Sequence, residues 1–292
     1  MSERSTVVIG DALVDELVRD DGNARREPGG SALNVAVGLS LLGVDSTLLA
    51  MVGDDPAGAL LRAHLDRYRV EHRWSPAPFG TGIARSDRSD GEPRYSFNWA
   101  SRHRAIRFDR EVRRLLERAG TIVISGFPFD DEGQVAELLG LDRQPQGVLL
   151  IDPNPRTGLL TDRAAFVRGL ESVARESELV KVSDEDLHLL YGTDLPRAVG
   201  RLLESGVRRL LVTHGAGGAE LHLPGGSIRQ AIVAIDGEIV DTMGAGDATF
   251  AVVCAAMIQG EPDDAEGWRT VLRTAMHHAA ATIRHEGAVF RF

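Results

Sequence analysis

The pattern that most restricts how this chain can fold is a recurring set of short aliphatic and β-branched runs: Thr6–Ile9, Thr47–Val52, Thr121–Ile124, Gly147–Ile151, Leu179–Val182 and Arg209–Thr213. Each is bounded by Gly, Asp or Pro. A strand that is apolar at every position has no face to give to water, so such runs predict strands buried on both sides. Between them, Ala32–Leu42, Pro56–Tyr68, Gly133–Leu139, Arg163–Arg175 and Leu195–Ser205 carry apolar residues at three-and-four spacing, the signature of amphipathic helices. The alternation predicts an α/β fold, a mostly parallel sheet with helices on both faces.

Two regions break this rhythm. From Phe79 to Arg104, two strand-like stretches flank an Asp90-Gly91 turn signal and predict a hairpin, while Gly10–Arg19 supplies a further short strand. So small a β-element lacks the apolar surface to stand alone and is best placed as a lid over a ligand. Tyr95, Phe97 and Trp99 alternate along one face of it, either packing on the core or touching the ligand. No repeat, low-complexity segment or linker divides the chain. The expectation is a single domain over 1–292 with lid segments near 10–28 and 79–104. From Ala231 onward, a loop and two helices close the fold.

Composition removes several function classes. With 33 Lys and Arg against 43 Asp and Glu, the formal net charge is −10, which argues against a protein that neutralises nucleic-acid phosphates over a broad face. Cys254 is the single cysteine; no intrachain disulfide is possible, its Val and Ala neighbours predict a buried thiol, and a reducing, cytoplasmic setting is expected. There is no membrane-length apolar span. No G-x-G-x-x-G follows Thr6–Ile9, which disfavours a dinucleotide-binding oxidoreductase.

The chemistry concentrates in DTMGAGDATFAV, Asp241–Val252. Gly244, Ala245 and Gly246 permit a tight turn whose amides converge, and the apolar run Ala248–Ile258 predicts a helix starting there. A helix N-terminus behind small residues is a ready anion site. Asp247 then has two readings: an N-cap, or a general base beside an anion hole. A cap does not explain the glycines, because capping needs one side chain and no bared backbone. Charge developing on a transferring phosphoryl group does need several amides aimed at it.

A second motif, Gly29-Gly30-Ser31-Ala32-Leu33-Asn34-Val35-Ala36 followed by Gly43 and Gly53, resembles the N-terminal signature of the ribokinase-like, PfkB-type sugar kinases; Asp241–Asp247 resembles their C-terminal one. The pair stands in the family's order, and the α/β rhythm between fits nearly the whole chain. The resemblance implies a ribokinase-like α/β/α core with a small β lid. It also implies an ATP-dependent kinase acting with Mg²⁺ on a hydroxymethyl group of a small sugar or nucleoside.

Carried over by that resemblance, Asp247 matches the catalytic base, and Gly244, Ala245 and Gly246 its anion hole. Gly29 and Gly30 match positions where backbone approaches the sugar, Asn34 offers donor and acceptor to vicinal hydroxyls, and Asp15 matches a sugar-hydroxyl carboxylate, with Asp11 at a variable position. For each a plainer alternative stands: a turn, a helix cap, a solvated acid. Val212–Gly218 resembles the nucleotide loop V-T-x-G-x-x-G, which places Thr213, Gly215 and Gly218 against ATP. Lys181–Asp186 resembles the N-x-x-E magnesium motif, with Ser183 and Asp186 in the Asn and Glu places and Glu185 as a rival. Asp152–Arg156 resembles the D-x-N-x-R stretch of fructokinase and 2-keto-3-deoxygluconate kinase relatives; Arg156 is either a phosphate clamp or a surface side chain.

There are departures. Val252 replaces the usual small residue after the base and is expected to hold that helix slightly farther from its neighbour. Trp99 stands where fructokinase-like relatives carry an arginine. His277 or His278 either approaches the adenine or packs. The resemblance further implies a K⁺ activator near Asp241 and pairing of lids in a homodimer. Fructokinase is the leading expectation, with ribokinase, 2-keto-3-deoxygluconate kinase, nucleoside kinase and an inactive sugar-binding regulator as alternatives.

Overall fold

The computed structural model describes residues 5–18, 24–87 and 94–292, the side chains of 87, 94 and 95 excepted; the Asp90-Gly91 turn and the Tyr95 ring lie outside the described residues. Strand β1 (Thr6–Gly10) opens the main sheet, β2 (Leu13–Val18) and β3 (Ala24–Gly29) depart from it, and α1 (Ser31–Leu41) returns. Next come β4 (Ser46–Met51), α2 (Pro56–Arg67) and β5 (Glu71–Ser75). Helix α2 starts where Asp55 accepts from the Gly58 amide, with Pro56 at the first position, where a missing N–H costs nothing. A hairpin of β6 (Gly82–Asp87) and β7 (Arg94–Phe97) follows, then the short α3 (Trp99–Arg102), α4 (Arg110–Arg118), β8 (Thr121–Ser125) and α5 (Glu132–Leu139). After these, β9 (Val148–Asp152), α6 (Arg163–Ala174), β10 (Leu179–Ser183), α7 (Asp184–Tyr191), α8 (Leu195–Glu204) and β11 (Leu210–Thr213) continue the alternation. A second hairpin, β12 (Ala219–Leu223) with β13 (Gly226–Gln230), precedes α9 (Ala245–Gly260) and α10 (Ala265–Thr282).

The main sheet runs β13-β12-β11-β10-β9-β8-β1-β4-β5, parallel from β11 to β5, with β12 and β13 antiparallel at one edge. Alternate side chains of its strands enter two separate cores. Val8, Leu48, Val123, Leu150 and Leu211 pack with α1, α2, α9 and α10. Val7, Ile9, Leu49, Ile122, Ile124, Ile151 and Val180 pack with α4 to α8. Burying such a side chain is worth about 1.5–3 kcal/mol, so an all-apolar strand is committed on both faces and cannot sit at a surface. Three layers, helices over sheet over helices, result as expected.

The smaller sheet has the order β3-β2-β6-β7. Strand β2 pairs antiparallel with β3 and parallel with β6, so both inserted segments build one four-stranded lid. Parallel register aligns Gly10 with Ser125 and Ser125 with Asp152, and further along Ser183 with Thr213. The C-terminal ends of five strands thus meet at one edge, where a doubly wound sheet places its ligands.

Several elements go beyond the sequence reading. Strands β3, β5, β12 and β13 and helices α3, α4 and α7 are additional, Trp99 opening α3 instead of continuing the strand face of Phe97, and α9 begins at Ala245, ahead of the expected Ala248. Asp247 therefore lies in the first turn of α9 rather than at its N-cap, a place held by Gly244.

Candidate active site

Helix α9 begins on Gly244 at φ +78°, with no side-chain cap. The amides of Ala245, Gly246 and Asp247 consequently have no acceptor inside the helix. Gly244 is required twice over: left-handed φ disfavours any L side chain, and a Cβ would stand 2.5 Å from the Ala288 carbonyl oxygen. The segment after α10 backs this loop, since the Ile283 carbonyl accepts from the amides of Val240 and Asp241. Asp247 is held from α1: Ser31 Oγ donates to Oδ1 at 2.9 Å and Asn34 Nδ2 to Oδ2 at 2.8 Å. A carboxylate only accepts, so Asn34 must present its amino group to Asp247 and turn its carbonyl away. That carbonyl, Oδ1, is buried and has no hydrogen-bond partner among the described residues.

Two further carboxylates face Asp247. Asp11 follows β1, its backbone tied to Ser125 and Leu33, and its side chain pairs with Arg104 at 3.0 Å. Burial pushes its carboxyl up, opposed by Arg104 and Arg156, while Asp247 adds to the rise. Asp15 on β2 is raised to about 7, first by burial, then by Asp247, Asp241 and Glu27, against the opposing pull of Arg156. Gly29 passes so close that a Cβ there would overlap the Asp15 carboxylate. Gly30, at φ +99°, turns the chain into α1 against the Asp11 backbone. Arg156 is exposed and makes no side-chain hydrogen bond with another described residue, yet its charge reaches both Asp11 and Asp15.

Behind the anion loop sits a buried ion pair, Lys181 Nζ to Asp152 Oδ2 at 2.8 Å, on neighbouring strands β10 and β9. Burial raises the Asp152 carboxyl to about 6, with Lys181 pulling the other way. Burial also works against the Lys181 charge, but Asp152, Asp186 and Asp247 outweigh it and its pKa is raised. A Cβ on Gly246 would stand 3.0 Å from Nζ, so the ammonium lies directly beside the loop. Ser183 and Asp186 form a reciprocal capping box that starts α7, with Asp186 buried and Glu185 exposed. Across from them, Thr213 ends β11, and Gly215–Gly218 turn tightly, the amide of His214 donating to the Gly218 carbonyl. His214 Nδ1 stands 3.9 Å from Asp184.

Other expected positions lie farther out. Phe97 packs on Gly158 in the loop that carries Arg156. Trp99 is exposed and stacks with His103, with Phe79 at its edge. His278 binds the Arg291 carbonyl through Nδ1 at 2.7 Å and stacks on Phe290, which anchors residues 290–292. Val252 is buried, and α1 still approaches α9 closely through Gly38 and Ala251. Asp241 is buried, with Oδ1 accepting from the Met243 amide.

Sequence reasoning missed Arg104, Ser31 and Ser125. Arg104 is delivered by Asn98, which caps α3 and bonds Ile83 and Thr81 of the lid. Nothing in SRHRAIR marks which arginine turns inward.

A carboxylate beside bare helix amides, with Asp11 and Asp15 gathered near it under a small β-sheet on a three-layer α/β scaffold, is an arrangement suited to phosphoryl transfer onto a hydroxyl. Residues 4–291 match the pfkB family carbohydrate kinases. The chain belongs to that family and is a carbohydrate kinase with a ribokinase-like fold. It is 30% identical over 297 residues to the fructokinase of Escherichia coli, covering 97% of this chain and 94% of that one. It is 25% identical over 266 residues to an ATP-dependent 6-phosphofructokinase of Thermoanaerobacterium thermosaccharolyticum, covering 87% and 81%. Among solved structures, fructokinase with bound ATP from Xylella fastidiosa superposes with a TM-score of 0.82 at 22% identity, covering 98% of this chain and 94% of that one. Among the described residues, no helix is long and apolar enough to cross a membrane.

Proposed function

We propose that the chain transfers the γ-phosphoryl group of ATP to the hydroxymethyl group of a neutral sugar, acting as a fructokinase. The observation that carries this reading is the charge balance of the pocket. Among the described residues around these carboxylates, Arg104 is already committed to Asp11, and Arg156 is left to meet an anion. An incoming γ-phosphoryl group uses that one cation bidentately. A sugar acid or sugar phosphate would bring a second anion toward Asp11, Asp15 and Asp247 with no further cation among the described residues there to neutralise it. Neutral hydroxyls suit those carboxylates, and the unpartnered Asn34 Oδ1 can accept one more.

In this reading the acceptor binds under the lid, against Asp11, Asp15, Gly29, Gly30 and Asn34. ATP lies along Thr213, Gly215 and Gly218, and the exposed Ile232, Ile239 and Val240 offer an apolar wall to the base. Asp247 takes the proton of the acceptor hydroxyl, and the amides of Ala245, Gly246 and Asp247 receive the charge that develops. Lys181 supports that charge from behind the loop. Closure of the lid excludes water from the transfer.

No cluster of three or more His, Cys, Asp or Glu able to hold a metal exists among the described residues. Asp186 is also occupied by its capping box. The acidic first turn of α7, Asp184 to Asp186, fits a Mg²⁺ carried mainly by the nucleotide's phosphates and met through water, where it would neutralise phosphate charge. A K⁺ activator would be held by backbone carbonyls near Asp241. The unpaired edges of the lid sheet make a homodimer through the lid part of the same reading, with light scattering as its check, and a cytoplasmic setting agrees with it.

The test is an ATP-coupled screen over fructose, ribose, 2-keto-3-deoxygluconate, tagatose phosphate and nucleosides. Fructose as the best acceptor is expected; clear preference for the acid or the phosphate would refute the charge argument. Asp247→Asn should keep sugar binding and reduce kcat by roughly 10²–10⁴-fold, and near-normal turnover would remove Asp247 from the role of base.

A further inference from the structure

The hydrogen bonds around Asp247 have a definite direction. Ser31 Oγ lies between Asp247 Oδ1, at 2.9 Å, and the buried Ser125 Oγ, with which it is also hydrogen-bonded. A hydroxyl has one hydrogen and an ionised carboxylate has none. Ser31 therefore spends its hydrogen on Asp247, and Ser125 donates to Ser31. The result is a two-step chain from the end of β8, through the first residue of α1, to the first turn of α9. Each donor polarises the next.

We propose that Ser31, supported by Ser125, is a positioning residue for phosphoryl transfer: it fixes the Asp247 carboxylate from one side while Asn34 fixes it from the other. This rests on the reading of Asp247 as the base. With one lone pair on each oxygen taken up by α1, the carboxylate can neither rotate nor swing back onto the bared amides of its own helix. Those amides stay open for the phosphoryl group, and the remaining lone pairs face the acceptor. The chain also bears on charge. Asp11, Asp15 and Asp152 all act on Asp247 with like charge, and of the groups around it Lys181 brings opposite charge. Donated hydrogen bonds favour the charged form of a carboxylate, and Ser31 and Asn34 each supply one to Asp247.

Three variants test this: Ser31→Ala, Ser125→Ala and the double substitution, each profiled for kcat and kcat/KM from about pH 5.5 to 9, with thermal denaturation alongside. In Ser31→Ala the acidic limb of kcat/KM should move up by about one pH unit, as loss of one charged hydrogen bond predicts. The loss should be about tenfold at low pH and small at high pH, with acceptor KM little changed. Ser125→Ala should move the limb in the same direction by less, and it carries the test if Ser31→Ala fails to fold. The double variant should match Ser31→Ala alone, because Ser125 acts only through Ser31. A uniform loss at every pH with the limb in place, or additive effects of the two serines, overturns the proposal. Asp247→Asn separates the two claims: if it is inactive and the limb does not move, only the role of Ser31 falls.

Discussion

Asp15 offers the sharpest quantitative test, because the structure places its carboxyl at about 7 instead of 3.8. For an acid this sign means the native state holds a proton that the unfolded chain has already released between those two values. Stability from this group is present at low pH and is lost as pH rises from about 4 through about 7. Each unit between the two values is worth about 1.4 kcal/mol, so the full difference is at most ~4 kcal/mol above pH 7. Asp15 is only partly buried, and screening by the water that reaches it reduces this to ~2–4 kcal/mol. Asp15→Asn keeps the shape and removes the titration. Guanidinium denaturation of both proteins at pH 5, 6.5 and 8 should show the variant gaining on the parent by ~1–3 kcal/mol as pH rises across that span. The same substitution should weaken sugar binding by roughly 10–100-fold, the value of a hydrogen bond to a charged group. A stability difference that is flat with pH, or that shrinks as pH rises, would refute the reasoning. The ligand carboxylate would then be charged in the free protein at no cost.

Gly244→Ala should be expelled from the left-handed region and meet the Ala288 backbone; ~1–3 kcal/mol of stability and most of the turnover should go, read by denaturation and steady-state rate. Lys181→Met leaves Asp152 buried without its partner, so ~3–5 kcal/mol should be lost, and the carboxyl of Asp152 should rise further, visible as an altered pH dependence of unfolding. Arg104→Ala uncovers Asp11; acceptor KM should increase at least tenfold with a smaller change in kcat, and an unchanged KM would place Arg104 outside recognition.

The inner strands could be read from sequence because burial on both faces leaves uninterrupted aliphatic runs such as TVVIG and TIVIS. Strand β5, EHRWS, could not: it is the sheet edge, three of its five residues are charged or imidazole, and it forms because β4 offers it a partner. Strand β3, ARREPG, likewise exists through its pairing with β2. Helix α4, REVRRLLER, carries its apolar period on just Val112, Leu115 and Leu116 among charged residues and buries only Leu116 fully, a stripe too short to stand out. At the site, Asp247 and Asn34 belong to motifs with local order and were visible. Arg104, Ser31 and Ser125 were not, since their meaning arises only when β1, β8, α1, α3 and α9 are brought to one sheet edge. The Asp152–Lys181 pair joins residues far apart in the chain that adjacent strands place side by side, a relation no local pattern encodes.

The anion loop leans on residues 283–288, which follow it by some forty positions. On a ribosome the sheet, the lid and Asp247 itself all emerge before the backbone that Gly244 packs against. The nascent chain can thus hold a nearly complete kinase scaffold that does not yet turn over. A C-terminal protease nick near residue 283 should have the same effect on the mature protein, silencing chemistry while leaving most of the sheet standing.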